Sequence, residues 1–256
     1  CSGELIKVVA ATVNKTISGI TGGVKDVDGI TGSAANDIVT FQKDRDFNLL
    51  SDISLGSGDD KLIIPDPTAE SLPGIAFESG AGVSFGAGND TLDLGAGIHF
   101  GYSSKLEEDL GIDSLDMAAG TLDFGTGNDN FRMRSTSDVT AAAIDLGDGN
   151  DCLQMDAFSW VMFSDAGSIE FGAGNDSFVF GDGATLKAVG STLTLDFGSG
   201  TDTMTFNGDM KIFADQLVIT GLENITGSGS LVLNSCTLDG ETKDKFENAG
   251  ISVTLA

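Results

Sequence analysis

The sequence predicts an all-β fold: a parallel β-helix solenoid with Gly-x-Gly-Asn-Asp turns stacked along one edge. Three observations predict it. A short turn motif returns seven times, apolar and polar residues alternate on both sides of each turn, and 36 glycines stand against 3 prolines. Glycine without proline marks tight turns that need positive φ, whereas flexible or extended linkers carry a different composition.

The motif reads apolar-Gly-x-Gly-polar-Asp-x-apolar-x-apolar. Its clear copies are Leu55–Ile64, Phe85–Leu94, Phe124–Phe131, Leu146–Leu153, Phe171–Phe178 and Phe197–Met204, with a degenerate copy at Gly32–Val39. The last aspartates of the seven copies are Asp37, Asp60, Asp90, Asp129, Asp151, Asp176 and Asp202, separated by 23, 30, 39, 22, 25 and 26 residues. The two longest intervals read as coils carrying insertions.

The flanks supply the strands. Thr121-Leu122-Asp123-Phe124 and Ser168-Ile169-Glu170-Phe171 precede their turns, while Leu92-Asp93-Leu94 and Phe178-Val179-Phe180 follow theirs. Period-two alternation is a strand with one face buried. Each unit is therefore strand, Gly turn, strand and variable return. One unit cannot bury its own apolar face, but stacked units can. At a strand spacing of ~4.8 Å, seven coils would measure roughly 34 Å.

This divides the chain into an N-terminal strand-like segment at 1–29, repeats at 30–206 and C-terminal coils with a terminal strand at 207–256. The 39-residue interval holds the one expected helix, Lys105–Leu110, opened by Ser104 with Glu107 and stopped by Gly111. It lies on an excursion near 95–118. No polar capping helix is expected at either end.

Charge excludes several functions. Thirteen Lys and Arg face 39 Asp and Glu, a net charge of −26. Nucleic-acid binding needs a basic surface, and an anionic membrane would repel the chain. No stretch approaches the ~20 apolar residues of a membrane span. Self-repulsion on this scale calls for neutralisation. Halophilic adaptation is one explanation and divalent cations are another, because many acids fall in the Gly-Asn-Asp blocks.

Calcium takes six to eight oxygen ligands. Gly-x-Gly turns can aim backbone carbonyls inward, and the following Asp adds a carboxylate. One loop offers too few oxygens, so loops in adjacent coils would share ions. The alternative is that these blocks only make turns, with Asn and Asp bonding their own backbone. Asp123, Asp145, Glu170 and Asp196, which precede the turns by one apolar residue, read as a solvated outward row.

Gly86-Ala87-Gly88-Asn89-Asp90-Thr91-Leu92-Asp93 resembles the RTX nonapeptide GGxGxDxUx from its second position onward. The resemblance covers about residues 30–206. It implies a calcium-binding β-roll or β-helix, with Asp60, Asp90, Asp129, Asp151, Asp176 and Asp202 as carboxylate ligands. From the same loops it implies Gly86, Gly88, Asn89, Gly125, Gly127, Asn128, Gly147, Gly149, Asn150, Gly172, Gly174, Asn175, Gly198 and Gly200 as further members of the metal set. It also implies a secreted or surface-exposed protein. Two departures stand out. The first Gly is replaced by Leu or Phe in all six clear copies, and the motif occurs once per coil. That implies one ion ladder and a fatter coil with a larger core.

Catalytic candidates are few. His99, Tyr102 and Lys105 form the only local cluster, and neither a Gly-x-Ser-x-Gly elbow nor a His-Glu-x-x-His pair occurs. The expectation is a structural protein without enzyme activity. An adhesin or extender domain of a longer RTX protein is the alternative, and a polysaccharide lyase or epimerase a further one. The strand-like ends Lys7–Val13 and Gly250–Ala256, and the echo of Val27–Ser33 in Leu222–Ser228, suggest head-to-tail association into filaments. Cys1 admits a lipid anchor, a disulfide with Cys236, or a residue left over from expression.

Overall fold

The computed structural model describes residues 4–7, 14–17, 25–41, 47–64, 75–77, 82–94, 113–116, 121–133 and 137–256. The chain is a parallel β-solenoid. A 14-stranded sheet and a 9-stranded sheet carry its faces, and all strand pairings among the described residues are parallel. Each coil runs along the large sheet, kinks at a register shift and continues to the Gly-x-Gly turn. It then crosses to the small sheet. The kinks fall between Ala141 and Ala143, Met162 and Gly167, and Ala188 and Thr192.

The core is built from columns of equivalent residues, one per coil. The residue before the first Gly contributes Leu55, Phe85, Phe124, Leu146, Phe171 and Phe197, all fully buried. Phe85 stacks on Phe124 with centroids 4.7 Å apart, and Phe171 on Phe197 at 4.5 Å. This column explains why the motif carries Leu or Phe where the RTX nonapeptide has its first Gly: the side chain fills the inside of the turn. Two residues after each Asp comes a second buried column, Leu62, Leu92, Phe131, Leu153, Phe178 and Met204.

Three expectations about the ends and the excursion change. The helix is Gly240–Asn248, which closes part of the C-terminal end. Asp239 caps it by accepting from the Thr242 N–H at 2.9 Å, and Gly250 turns the chain out of it at φ 85°. Phe246 is its buried residue and packs edge-on against Phe206 at 5.7 Å. The sequence hid this cap because a single apolar residue gives no helical periodicity. Second, the echoing segments are not equivalent. Lys25–Thr31 belongs to the large sheet and Leu222–Ser228 to the small one. Third, within the excursion Asp113–Asp116 is a strand of the large sheet, paired with Ile75–Phe77 and Ser137–Asp145. The expected helix at 105–110 and the His99, Tyr102, Lys105 cluster lie outside the described residues, as do Cys1 and 8–13. No helix among the described residues is long and apolar enough to cross a membrane.

Candidate cation site: a buried carboxylate column

The Asp of each turn points into the solenoid. Asp37, Asp60, Asp90, Asp129, Asp151, Asp176 and Asp202 are all between 0% and 2% exposed. They form one ladder. Each backbone N–H donates to Oδ1 of the Asp in the next coil: Asp37 to Asp60 at 2.7 Å, Asp60 to Asp90 at 2.6 Å, Asp90 to Asp129 at 2.5 Å. The series continues with Asp129 to Asp151 at 2.8 Å, Asp151 to Asp176 at 2.7 Å and Asp176 to Asp202 at 2.7 Å.

The second oxygen of each carboxylate is orphaned. Oδ2 of Asp60, Asp90, Asp129, Asp151, Asp176 and Asp202 is buried with no hydrogen-bond partner. An ionised carboxylate in that position costs several kcal/mol unless a proton or a cation meets it. Burial, partly offset by the incoming N–H, pushes Asp60, Asp129 and Asp176 up to about 6, and Asp90 and Asp151 up to about 7. Asp202 is raised for the same first reason.

Both ends of the column are closed. Ser33 donates to Asp37 from its backbone N–H at 2.6 Å and its hydroxyl at 3.0 Å, both to Oδ2. At the other end the Asp202 N–H donates to Oε2 of Glu223 at 2.8 Å. Glu223 was not singled out from the sequence, since the Gly-x-Gly block is missing there. Its signal was an acid placed 21 residues after Asp202, just short of the coil period.

The neighbouring asparagines face the other way. Asn89, Asn128, Asn150 and Asn175 are exposed and build an outer ladder of opposite sense. Asn128 N–H donates to Asn89 Oδ1 at 2.9 Å, Asn150 to Asn128 at 2.7 Å, and Asn175 to Asn150 at 2.8 Å. The side-chain amides add a second bond to the same oxygens, at 3.1, 3.0 and 3.3 Å. These oxygens are occupied and lie on the opposite side of the turn from the Asp carboxylates.

The glycines set how closely coils approach. A Cβ at Gly127 would fall 1.3 Å from the Gly88 carbonyl oxygen, and one at Gly125 1.8 Å from the Gly86 oxygen. The same contact recurs at Gly147, Gly149, Gly172, Gly174, Gly198 and Gly200. Carbonyls expected to aim inward therefore run along the stack. Those of Gly86, Gly125 and Gly172 accept N–H groups of the next coil's Thr126, Asp148 and Ser199 at 2.9, 3.0 and 2.9 Å. Backbone pairing between coils wins over inward display because each carbonyl meets a donor one coil away.

The fit to a hard cation is then one anionic oxygen per coil, unpartnered and buried. Among the described residues no three His, Cys, Asp or Glu side chains converge as a metal cluster. The ladder offers a row instead of a cage. Outside the turn, Asp123, Asp145, Glu170 and Asp196 stand in register on adjacent strands. Burial first, then the charges of Asp123 and Glu170, raises the Asp145 carboxyl. Cys152 and Cys236 are free thiols pushed up by burial. Comparison of the chain with protein-family models, curated proteins and solved structures returned no match.

Proposed function

We propose that the protein is a calcium-binding structural module of a secreted or cell-surface protein. The observation that carries this reading is the column of six orphaned Oδ2 atoms, from Asp60 to Asp202. Calcium would supply the positive charge the column lacks. Asp60, Asp90, Asp129, Asp151, Asp176 and Asp202 would hold it, with water completing the shell, since the Gly carbonyls of the turns run along the stack. A chain of net −26 gains further from neutralisation. The exposed asparagines belong to the outer ladder in this reading.

Calorimetric titration and thermal melts in millimolar calcium and in excess chelator test it. Calcium binding with a clearly higher melting temperature supports the reading. Identical melts and no bound calcium mean that the blocks only make turns.

End-to-end association is a second proposal, carried by the terminal strand Ser252–Leu255. It pairs with Ser230–Asn234 on one side, with Leu255 opposite the buried Leu233. Leu255 occupies a core column yet is 80% exposed. A strand from a second copy would cover it. Sedimentation at high protein concentration with calcium checks this, and a clean monomer there removes the proposal.

A further inference from the structure

The two ends of the carboxylate column differ at a single atom. At Asp37, Oδ2 takes two donors from Ser33, its N–H at 2.6 Å and its hydroxyl at 3.0 Å. At Asp202, Oδ1 accepts the Asp176 N–H at 2.7 Å, while Oδ2 is buried and has no partner. The whole residue is 0% exposed. Donors finish the first end, and the second keeps an unmet anionic oxygen.

A second acid is brought to that end by a break in register. The small sheet pairs without a shift from Asn14–Ile17 through to Asp202–Asn207. Its one shift among the described residues falls in the last pairing, where Leu222 stands opposite Asp202 and Asn224 opposite Thr203. Glu223 is the extra residue between them. A bulge re-aims a side chain, and here the Glu223 carboxylate turns back onto Asp202, taking its N–H on Oε2 at 2.8 Å. Burial raises the Asp202 carboxyl, the Asp176 N–H lowers it in part, and the Glu223 charge raises it again.

No base relieves this pair. Glu223 has no ion pair among the described residues. Lys245, on the helix that covers this end, is committed to the Leu222 carbonyl, to which Nζ donates at 2.6 Å. The Asn224 amide donates to the Asp202 backbone carbonyl at 3.3 Å and leaves the carboxylate alone. Glu223 is exposed, so water reaches its side of the pair.

We propose that Asp202 and Glu223 form a terminal site for a hydrated divalent cation, one rung beyond the aspartates of the column. Asp202 Oδ2 meets the ion from the buried side and the Glu223 carboxylate from the solvent side. Water fills the remaining positions, as suits a hard oxygen-seeking cation held by few carboxylates. This site rests on the calcium reading of the column and adds to it a ligand outside every Gly-x-Gly-Asn-Asp block. Glu223 then has two roles: its oxygen ends the hydrogen-bond ladder, and its charge ends the row of ions. The first role alone would be served equally well by a neutral acceptor.

Glu223→Gln separates the two roles. Gln keeps a side-chain oxygen for the Asp202 N–H and loses the charge. Calcium bound per chain, counted by native mass spectrometry across a titration, should fall by about one ion in this variant. Asp202→Asn should lose that ion as well. The Asp202→Asn/Glu223→Gln double variant should bind no fewer ions than Asp202→Asn alone, because both groups serve the same ion. In chelator, Glu223→Gln should melt with the parent or above it, since a repulsive charge has gone, and in millimolar calcium it should melt below. A parent that binds no calcium overturns the column reading and the terminal site together. Calcium binding by the parent that Glu223→Gln matches in number and affinity overturns the terminal site alone. A melting loss in Glu223→Gln as large in chelator as in calcium does the same, and leaves Glu223 as a cap only.

Discussion

Asp151 and Asp176 are joined through one oxygen only: the Asp151 N–H donates to Asp176 Oδ1 at 2.7 Å, and Asp176 Oδ2 has no partner. The hydrogen bond fixes the carboxylate's orientation, and the bare oxygen sets its chemistry. The same division repeats along the column.

An asparagine separates these two roles. Asp151→Asn keeps an Oδ1 for the Asp129 N–H and replaces the bare anionic oxygen with a neutral amide. In chelator at pH 8 its melting temperature should equal or exceed that of the parent. In millimolar calcium it should fall below, a loss of about 1–3 kcal/mol in stability. A substitution that is harmful to the same extent in both conditions would mean the column is not a cation site.

Protons should substitute for the cation. The five carboxyls at about 6 to 7 lie above the ordinary value of 3.8, so between these limits the folded chain binds more protons than the unfolded one. Stability then falls as pH rises. In chelator it should be greatest near pH 4 and decline through pH 6 to 7, and calcium should flatten the decline. Melts across this range at constant ionic strength check the slope, and rising stability in chelator would contradict it.

Coil spacing depends on bare glycine. Gly127→Ala drives a methyl to 1.3 Å from the Gly88 oxygen and should cost about 3 kcal/mol or more. Gly190→Ala is the control. Gly190 has φ 74° but nothing within 4 Å of a Cβ, so only the backbone strain of about 1 kcal/mol applies. Denaturant unfolding of both variants should separate contact from strain.

The terminal helix guards the small sheet's last strand. Lys245 Nζ donates to the Leu222 carbonyl at 2.6 Å, and Phe246 lies against Phe206. Phe246→Ala should destabilise by about 3–5 kcal/mol and promote association by exposing that end. Asp239→Ala should cost only about 1 kcal/mol. Light scattering alongside thermal melts distinguishes the two.

The solenoid was legible because its motif repeats. Seven aspartates at coil spacing, each flanked by alternating residues, announce stacked turns, and all seven stand in one ladder. What escaped is what does not repeat. Phe246 is a single apolar residue in a polar helix, so no period exposed it. Glu223 ends the ladder without a Gly turn. Adjacent Asn175 and Asp176 read as members of one metal-binding loop, yet the turn between two strands sends one outward and the other inward.

The closed ends of the carboxylate column bear on how such a chain can change length. Ser33 occupies Asp37 at one terminus, and Glu223 receives the Asp202 N–H at the other. Every rung between them offers a donor on one side and an acceptor on the other. A duplicated coil of similar length bearing Gly-x-Gly-Asn-Asp would find both partners waiting, along with matching sites on the outer Asn ladder. Copy number in the middle can therefore drift by tandem duplication or loss with little local penalty, while the two terminal residues cannot be exchanged for another repeat without leaving an acceptor or a donor unmatched.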